Sequence, residues 1–226
     1  MNQKETLFII TGTARGLGYD IFQSLLLEKQ NIITINRSPF NYKYNITFDF
    51  SEIDKLESML FPQLREEIKE YKSIIMILNA ALIDPIKEIG HYETNDIIKI
   101  VNINTISPIS LSNFIIKENK EGVIINLSSG GIDFNFEGLG LYTSTKIATH
   151  KFFNISNIED TRMSFLNFDP GSMDTQMTKK LRDEKNHFQE KSRKYLWQKL
   201  EEQTYKSSKD SAKELLSLIY ETMNKN

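Results

Sequence analysis

Three side chains in the middle of the chain have the types and the spacing of a proton-transfer site. Tyr142 and Lys146 stand four residues apart in a segment that predicts a helix over 141–155, and Ser129 lies thirteen residues before the tyrosine. Residues four apart share one face of a helix. An ammonium beside a phenol stabilises the phenolate and lowers the pKa of tyrosine, which is about 10 when unperturbed. We therefore expect a lowered pKa at Tyr142, with Ser129 placed to hydrogen-bond an oxygen atom at the same site.

A glycine-rich turn near the N-terminus has the composition of a phosphate-binding loop. Gly12, Gly16 and Gly18 follow an apolar run and precede a helical pattern over 17–29. Glycine permits positive φ and close approach of a pyrophosphate, and the N-terminus of a helix offers unpaired N–H groups. The pattern is Gly-x-x-x-Gly-x-Gly, which differs from the Gly-x-Gly-x-x-Gly of other dinucleotide folds. An ordinary glycine turn is the alternative, but the strand–turn–helix context favours a dinucleotide site.

Strand and helix patterns alternate along the whole chain. Apolar runs predict strands at 6–11, 31–36, 46–48, 73–78, 122–127 and 163–168; helices are predicted at 17–29, 51–71, 95–119, 141–155, 174–205 and 208–222. Repeated strand–helix units predict an α/β fold with a Rossmann-type, doubly wound parallel sheet. Ligands of such sheets bind outside the carboxyl ends of the strands, where the loops named above fall. Since no repeat or linker interrupts the pattern, we predict a single catalytic domain over 1–226.

The composition narrows the classes of function. The 226 residues include 28 basic and 30 acidic residues, three scattered histidines and no cysteine. This balance argues against nucleic-acid binding, and the absence of cysteine excludes thiolate chemistry. We predict no metal site. No apolar run approaches the roughly 20 residues that span a bilayer, and the N-terminus lacks a signal-peptide layout. We therefore expect a cytoplasmic protein that does not bind membranes.

The glycine loop, Ser129 and the Tyr142–Lys146 pair, in this order, resemble the short-chain dehydrogenase/reductase family. The resemblance implies an enzyme that moves a hydride between a nicotinamide cofactor and a carbonyl or alcohol. It implies that Tyr142 protonates the carbonyl oxygen, that Ser129 hydrogen-bonds this oxygen, and that Lys146 holds the nicotinamide ribose.

Other loops at the same edge of the sheet extend the resemblance. Asn104 fits the asparagine with which the family supports a proton relay, and we prefer it to Asn102 because Pro108 follows four residues later. Asp49 and Thr175 have cofactor-contacting counterparts. The alternatives are that Asp49 neighbours a helix N-cap and that Asp174 or Thr175 simply caps a helix. The cofactor-binding residues that the resemblance implies are Gly12, Thr13, Arg15, Gly16, Leu17, Gly18, Arg37, Asp49, Asn79, Ala80, Tyr142, Lys146, Pro170, Gly171 and Thr175. One departure is Ala81, which replaces the glycine of the family's Asn-Ala-Gly.

Two arginines bear on the choice of cofactor. Arg15 lies inside the glycine loop, and Arg37 follows the second strand, where NAD-preferring relatives usually carry an acidic residue. A guanidinium suits a phosphate group, so we predict that NADP(H) is preferred over NAD(H). The alternative is that both are ordinary surface arginines.

Further segments are similar to bacterial benzil reductases and sepiapterin-reductase-like carbonyl reductases. They are 79–86, 101–108 and 174–177. The expected substrate is a small-molecule carbonyl compound, and an apolar pocket at this site would suit a bulky or aromatic one. Two interpretations stay open for the segment 179–206, either a mobile lid over the site or an amphipathic helix packed on the body. Two interpretations also stay open for four apolar residues, which could line a pocket or belong to the core: Phe134, Phe136, Leu141 and Met173.

Two departures from the family pattern concern the end of the chain. Only 23 residues separate Lys146 from Pro170, and nothing after Thr222 has the composition of a strand. We therefore expect the strand order 3-2-1-4-5-6 without a seventh strand. Since relatives build part of a tetramer interface from that strand, we predict a monomer or a weak homodimer. The apolar face of the last helix is the surface left for pairing with a second copy.

Two other functions fit parts of the pattern. One is a catalytically idle NADP-binding protein that acts as a sensor or interaction partner. Intact Asn104, Ser129, Tyr142 and Lys146 argue against it, because a sensor need not keep all four. The other is a sugar-nucleotide epimerase or dehydratase, which shares Tyr-x-x-x-Lys but is disfavoured by the spacing of the glycines.

Overall fold

A parallel sheet of six strands forms the centre of the molecule. The computed structural model describes residues 5–118, 120–133, 135–159, 162–173, 175–182 and 205–224. The strands are β1 (Thr6–Thr11), β2 (Asn31–Asn36), β3 (Asn45–Thr47), β4 (Ser73–Leu78), β5 (Glu121–Leu127) and β6 (Met163–Phe168). They lie in the order β3-β2-β1-β4-β5-β6, and every neighbouring pair is parallel. The predicted order is confirmed, and the described residues form these six strands and no seventh.

The strands are apolar on both faces because helices cover both faces. The helices are α1 (Gly16–Leu27), α2 (Phe61–Ile68), α3 (Thr94–Val101), α4 (Ser107–Lys117), α5 (Gly140–Ser156), α6 (Gln176–Arg182) and α7 (Ser208–Met223). Alternate residues of β1 show the division. Phe8 and Ile10 pack with α1 and α7, while Leu7 and Ile9 pack with α2, α4 and α5. Removing each such side chain from water contributes about 1.5–3 kcal/mol to folding.

The last helix packs onto its own sheet. Ser207 caps α7 by accepting a hydrogen bond from the Asp210 amide at 3.1 Å, as serine commonly does at helix starts. Ala212, Leu215 and Ile219 are fully buried in the core cluster shared with β1 and α1. The expectation that this face could pair with a second copy is therefore wrong, because the sheet and α1 already cover it.

A continuous helical stretch joins α3 to α4, in the place predicted for one helix over 95–119. Between them, residues Asn102–Ile106 form a π-helical turn, which is wider than the α-helix on either side. Such single wide turns inside helices often lie at functional sites. Here the turn carries Asn104, which is buried.

The predicted helix over 51–71 is divided in a similar way. A 3-10 turn (Ile53–Lys55) and a π-helical turn (Leu56–Leu60) precede α2. Pro62 lies in the first turn of α2, directly after the π-helical turn. The disturbance expected near this proline thus falls at a helix start.

Two further observations concern the described residues. None of their helices is long and apolar enough to cross a membrane. No group of three or more histidine, aspartate or glutamate side chains among them is arranged to hold a metal ion.

Candidate active site

Helix α5 places Tyr142 and Lys146 one turn apart at the carboxyl end of β5. Both side chains are buried. The Lys146 ammonium donates a hydrogen bond to the backbone carbonyl of Leu127 at 2.7 Å, and its Nζ lies 5.9 Å from the centre of the Tyr142 ring. A bond from the helix to the last residue of β5 therefore fixes the position of the pair.

Burial controls the proton affinity of both groups. It raises the pKa of the Tyr142 phenol, a hydrogen bond with the Ser129 side chain opposes this rise, and the negative charge of Asp169 adds to it. Burial lowers the pKa of Lys146 to about 8. The expectation of a lowered pKa at Tyr142 is wrong for this structure, because loss of solvent outweighs the other influences. Tyr142 is consequently held as the protonated phenol, the form that can donate a proton.

Ser129 lies beside Tyr142, as the hydrogen bond between their side chains requires. It follows β5 and Ser128, and its Oγ accepts a hydrogen bond from the Gly131 amide at 3.1 Å. This short turn orients the hydroxyl towards the phenol. The structure thus brings together the three side chains that the sequence spacing grouped.

Asn104 connects the loop after β4 to helix α5. Its amide accepts from the Leu82 N–H at 2.8 Å and donates to the Leu82 carbonyl at 2.7 Å and to the Thr145 Oγ1 at 3.1 Å. Thr145 is the direct neighbour of Lys146 in α5. Asn102, the alternative candidate, instead donates to the Ser51 carbonyl at 2.9 Å. Of the two, Asn104 is therefore the one connected to the Tyr142–Lys146 helix.

Close packing shapes the glycine loop. Gly12 has φ +73°, and a Cβ atom built on it would lie 3.0 Å from the Cα of Ala80. A Cβ atom on Gly18 would lie 2.2 Å from the Gly12 carbonyl oxygen and 2.4 Å from the Asn79 Nδ2. Asn79 donates to the carbonyl oxygens of Thr11 and Gly12 at 3.0 and 2.7 Å. The loops after β1 and β4 thus lie against each other with no room for a side chain.

Asn36, the last residue of β2, holds the glycine loop from the other side. Its side chain accepts from the Thr13 N–H and donates to the Thr13 hydroxyl, both at 2.8 Å, and all of these groups are buried. The sequence prediction missed this residue. The sequence feature that could have indicated Asn36 is a polar side chain at the end of a run that contains Ile32, Ile33 and Ile35.

The first turn of α1 has the features of an anion site. Arg15 precedes it with extended backbone, and no side chain caps its free N–H groups. Gly16 has φ +61° and open space around it. Leu17 faces the core, so only its backbone can face a ligand. Unpaired N–H groups, the helix dipole and the tight glycine packing together suit a pyrophosphate, and these residues fit a dinucleotide cofactor.

The remaining residues expected at the cofactor have varied surroundings. Arg37 is exposed, and the Arg15 Nη1 donates to the Gln176 Oε1 at 2.5 Å. Asp49 accepts from the Ser51 amide at 2.9 Å. This contact forms a short turn just before the 3-10 turn at Ile53–Lys55.

The loop after β6 leads into α6 through Pro170 and Gly171. Gly171 has φ +74°, and the Pro170 carbonyl accepts from the Ser211 hydroxyl at 2.8 Å. Thr175 precedes α6, and its amide donates to the Thr178 Oγ1 at 2.9 Å. The structure therefore places Thr175 at a helix start, with the Pro170–Gly171 turn attached to α7.

The expected pocket residues fall in two places. Phe136 and Leu141 pack in the cluster that contains Tyr142, whereas Met173 packs with the core between the sheet, α1 and α7. Phe134 lies outside the described residues. So does most of the predicted lid over 179–206, namely residues 183–204.

A carboxylate that sequence analysis missed also lies at this edge. Asp169 follows β6, and a Cβ atom built on Gly130 would lie 3.0 Å from its Oδ2. Its charge raises the pKa of Tyr142. The available signal was its position, since the carboxyl ends of the neighbouring strands β5 and β6 meet at one edge.

Comparison with known proteins identifies this arrangement. The family profile described as short chain dehydrogenase matches residues 6–186. The chain belongs to the short-chain dehydrogenase family. Short-chain dehydrogenases are oxidoreductases that bind a nicotinamide cofactor, and this chain is accordingly an NAD(P)-dependent oxidoreductase.

Relatives of known name share most of the chain. A benzil reductase ((S)-benzoin forming) of Bacillus cereus is 32% identical over 196 residues, which cover 77% of this chain and 78% of the relative. A protein with the same name from Bacillus subtilis (strain 168) is 27% identical, with 76% of each chain covered. A solved short-chain dehydrogenase/reductase of Saccharomyces cerevisiae superposes with a TM-score of 0.74 over 90% of this chain and 86% of that chain, at 21% identity. The structural match supports the family's fold.

Proposed function

We propose that this short-chain dehydrogenase reduces a ketone or aldehyde to an alcohol with NADPH, and that Tyr142 donates the proton. The observation that supports this most is the buried Tyr142 phenol, hydrogen-bonded to Ser129, with the Lys146 ammonium one helical turn away. A proton donor and a hydrogen-bond donor that converge on one point can bind and protonate the oxygen of a carbonyl group.

Each of the three side chains has one task in this proposal. Ser129 hydrogen-bonds the carbonyl oxygen and orients it. Tyr142, held as a phenol by burial, transfers its proton to this oxygen as negative charge develops there. The Lys146 ammonium, anchored on the Leu127 carbonyl, stabilises the phenolate that remains. The nicotinamide cofactor, when bound, supplies the hydride for the carbonyl carbon.

Asn104 would support the return of a proton to Tyr142. Both of its N–H donors are used by Leu82 and Thr145, while its oxygen accepts one hydrogen bond from the Leu82 amide. A carbonyl oxygen has a second lone pair. This remaining acceptor position suits a water molecule in a relay, and the other three bonds keep the amide fixed.

The preference for NADPH rests on the charges around β2. Arg37 and Ser38 are both exposed directly after this strand. Among the described residues Arg37 has no salt-bridge partner, while Arg15 donates a hydrogen bond to Gln176 at the start of α6. The residue before them, Asn36, is committed to the glycine loop and carries no charge. A 2′-phosphate would therefore meet positive charge and a hydroxyl, and no carboxylate at these positions repels it.

The substrate class follows from the pocket wall and the relatives. Phe136 and Leu141 pack beside Tyr142 and offer apolar surface to a bulky or aromatic carbonyl compound. The name of the two bacterial relatives, benzil reductase, suggests that an aromatic diketone is a suitable first substrate. We further propose that the enzyme acts in the cytoplasm, as a single domain, and as a monomer or weak homodimer.

A carbonyl panel tests the proposal. Purified enzyme is mixed with NADPH and, in turn, benzil, other aryl ketones and aldehydes, and the absorbance of NADPH is followed. We expect turnover of at least one aromatic ketone, with loss of activity in Tyr142→Phe and full activity in Tyr19→Phe, which changes an exposed tyrosine on α1. Cofactor binding without turnover of any carbonyl compound would instead favour an idle binding protein.

A further inference from the structure

Asp169 occupies a second turn that faces the Ser129 turn across the ends of β5 and β6. The two strands stay paired up to the bond from the Ser128 amide to the Phe168 carbonyl, at 2.8 Å. Immediately afterwards each chain turns in the same way. The Gly131 amide donates to the Ser129 Oγ at 3.1 Å, and the Gly171 amide donates to the Asp169 Oδ1 at 3.0 Å. The catalytic serine and the aspartate thus hold equivalent places on adjacent loops.

The other carboxylate oxygen of Asp169 is directed at the catalytic loop. A Cβ atom built on Gly130 would lie 3.0 Å from Oδ2, so this oxygen is next to the residue that follows Ser129. The charge also influences Tyr142, whose pKa it raises. Asp169 is therefore near both groups that are expected to hold the carbonyl oxygen.

The fold itself does not require the charge. Asparagine or serine at this position would accept the same hydrogen bond from Gly171 and form the same turn. Asp169 is solvent-exposed and forms no ion pair with any residue in the described part of the chain. A carboxylate with no ion-pair partner in the described part of the chain attracts a positively charged group and does not favour a neutral one.

We infer that Asp169 is a specificity-determining residue that selects carbonyl compounds with a cationic nitrogen close to the carbonyl group, such as an α-ammonium ketone. The inference rests on the proposed carbonyl reductase function, since Ser129 and Tyr142 must fix the carbonyl oxygen for a substituent to reach Asp169. Benzil, the compound in the relatives' name, is neutral and would leave this carboxylate without a partner.

A pair of isosteric ketones tests the inference without depending on turnover. Phenacyltrimethylammonium carries a permanent positive charge, and 3,3-dimethyl-1-phenylbutan-1-one has carbon in place of its nitrogen. Dissociation constants of both are measured by calorimetry on enzyme saturated with the oxidised nicotinamide nucleotide, which has no hydride to give. The proteins compared are the wild type, Asp169→Asn, and the control Asp133→Asn, which removes an exposed carboxylate from the same loop as Gly130. Asp169→Ser is a second variant that keeps the turn.

The expected result is tighter binding of the cationic ketone by the wild type and by Asp133→Asn. In Asp169→Asn and Asp169→Ser this preference should fall by about twofold to fivefold, the range for one solvent-exposed charge pair, while binding of the neutral ketone stays unchanged. An equal preference in the wild type and both Asp169 variants would overturn the inference, as would a wild type that does not bind the cationic ketone more tightly. Failure of the proposed function looks different, because the preference would persist while neither ketone is reduced by NADPH.

Discussion

Lys146 donates its ammonium hydrogen to the carbonyl of Leu127 at 2.7 Å, and its Nζ lies 5.9 Å from the centre of the Tyr142 ring. The lysine is thus anchored on the end of β5 and is not paired directly with the phenol. Both groups are buried. Burial favours the neutral form of each. Tyr142 is therefore a phenol that can donate its proton, and keeping Lys146 protonated beside it costs free energy.

Lys146→Met should change stability in a way that depends on pH. The pKa of Lys146 is lowered from 10.5 in the unfolded chain to about 8 in the folded protein. The unfolded state therefore binds more protons between these values, and wild-type stability gains over this window as pH rises. The free energy of unfolding of wild type relative to Lys146→Met should increase by roughly 3 kcal/mol in total between pH 8 and pH 10.5. Urea denaturation of both proteins at pH 7.5 and pH 10 measures the difference.

The same variant should lose catalytic activity at every pH. A relative stability that does not change between the two pH values would contradict the assignment of a buried, destabilised ammonium. Groups common to both proteins cancel in the comparison, so the result reports on Lys146.

Much of this site could be predicted because its residues lie at the ends of strands with plain apolar patterns. The strands 6–11, 31–36, 73–78 and 163–168 were predicted with the bounds that the structure has. Their carboxyl ends place the glycine loop, Asn79, Ser129 and Pro170 at one edge. The regular alternation of strand and helix predicts a parallel sheet, and the resemblance to the family supplies the order of its strands.

Other features depend on contacts that a sequence pattern does not contain. The π-helical turn at Asn104 depends on hydrogen bonds to Leu82 and Thr145, which are distant in the sequence. The raised pKa of Tyr142 depends on how completely its surroundings exclude water, whereas the spacing to Lys146 alone indicated a lowered value. The role of Asn36 and the position of Asp169 likewise appear only when loops from different strands meet.

Arg37→Asp should reverse the preference between the two cofactors. One hydrogen-bonded charge pair with a phosphate contributes about 1.5–3 kcal/mol, so the ratio of the NADH to the NADPH dissociation constant should fall by about tenfold to a hundredfold. Fluorescence titration with both cofactors measures the ratio. Arg162→Asp makes the same change of charge at an exposed residue before β6, and it should leave the ratio unchanged. Equal affinities of the wild type for NADPH and NADH would refute the proposed preference.

Gly18→Ala should damage both folding and cofactor binding. The added Cβ atom would meet the Gly12 carbonyl oxygen at 2.2 Å, and relief of such overpacking typically costs about 1–3 kcal/mol. Gly140→Ala is the control, because this exposed glycine at the start of α5 has no atom within 4 Å of an added Cβ. Of the two variants, Gly18→Ala should have the lower urea midpoint and the weaker affinity for the cofactor. Wild-type affinity and stability in Gly18→Ala would contradict the close packing of Gly18 against the Gly12 carbonyl.

The size of the particle in solution tests the proposed assembly. The apolar face of α7 is buried on the enzyme's own sheet, while α5 leaves Ile147 and Ile155 exposed. We expect light scattering at micromolar concentration to give a mass of one chain, 26.3 kDa, or a concentration-dependent value between one and two chains. A stable mass of four chains would contradict the proposal.

The most direct test of the central proposal compares Tyr142→Phe with the wild type on one established carbonyl substrate, in turnover and in NADPH affinity. The substitution removes the hydroxyl that Ser129 contacts and keeps the ring in its buried position. Loss of a general acid lowers the rate by about 10² to 10⁴, so kcat should fall by this factor while the dissociation constant of NADPH stays nearly the same. A Tyr142→Phe enzyme that reduces the substrate at close to the wild-type rate would contradict the role of Tyr142 as proton donor.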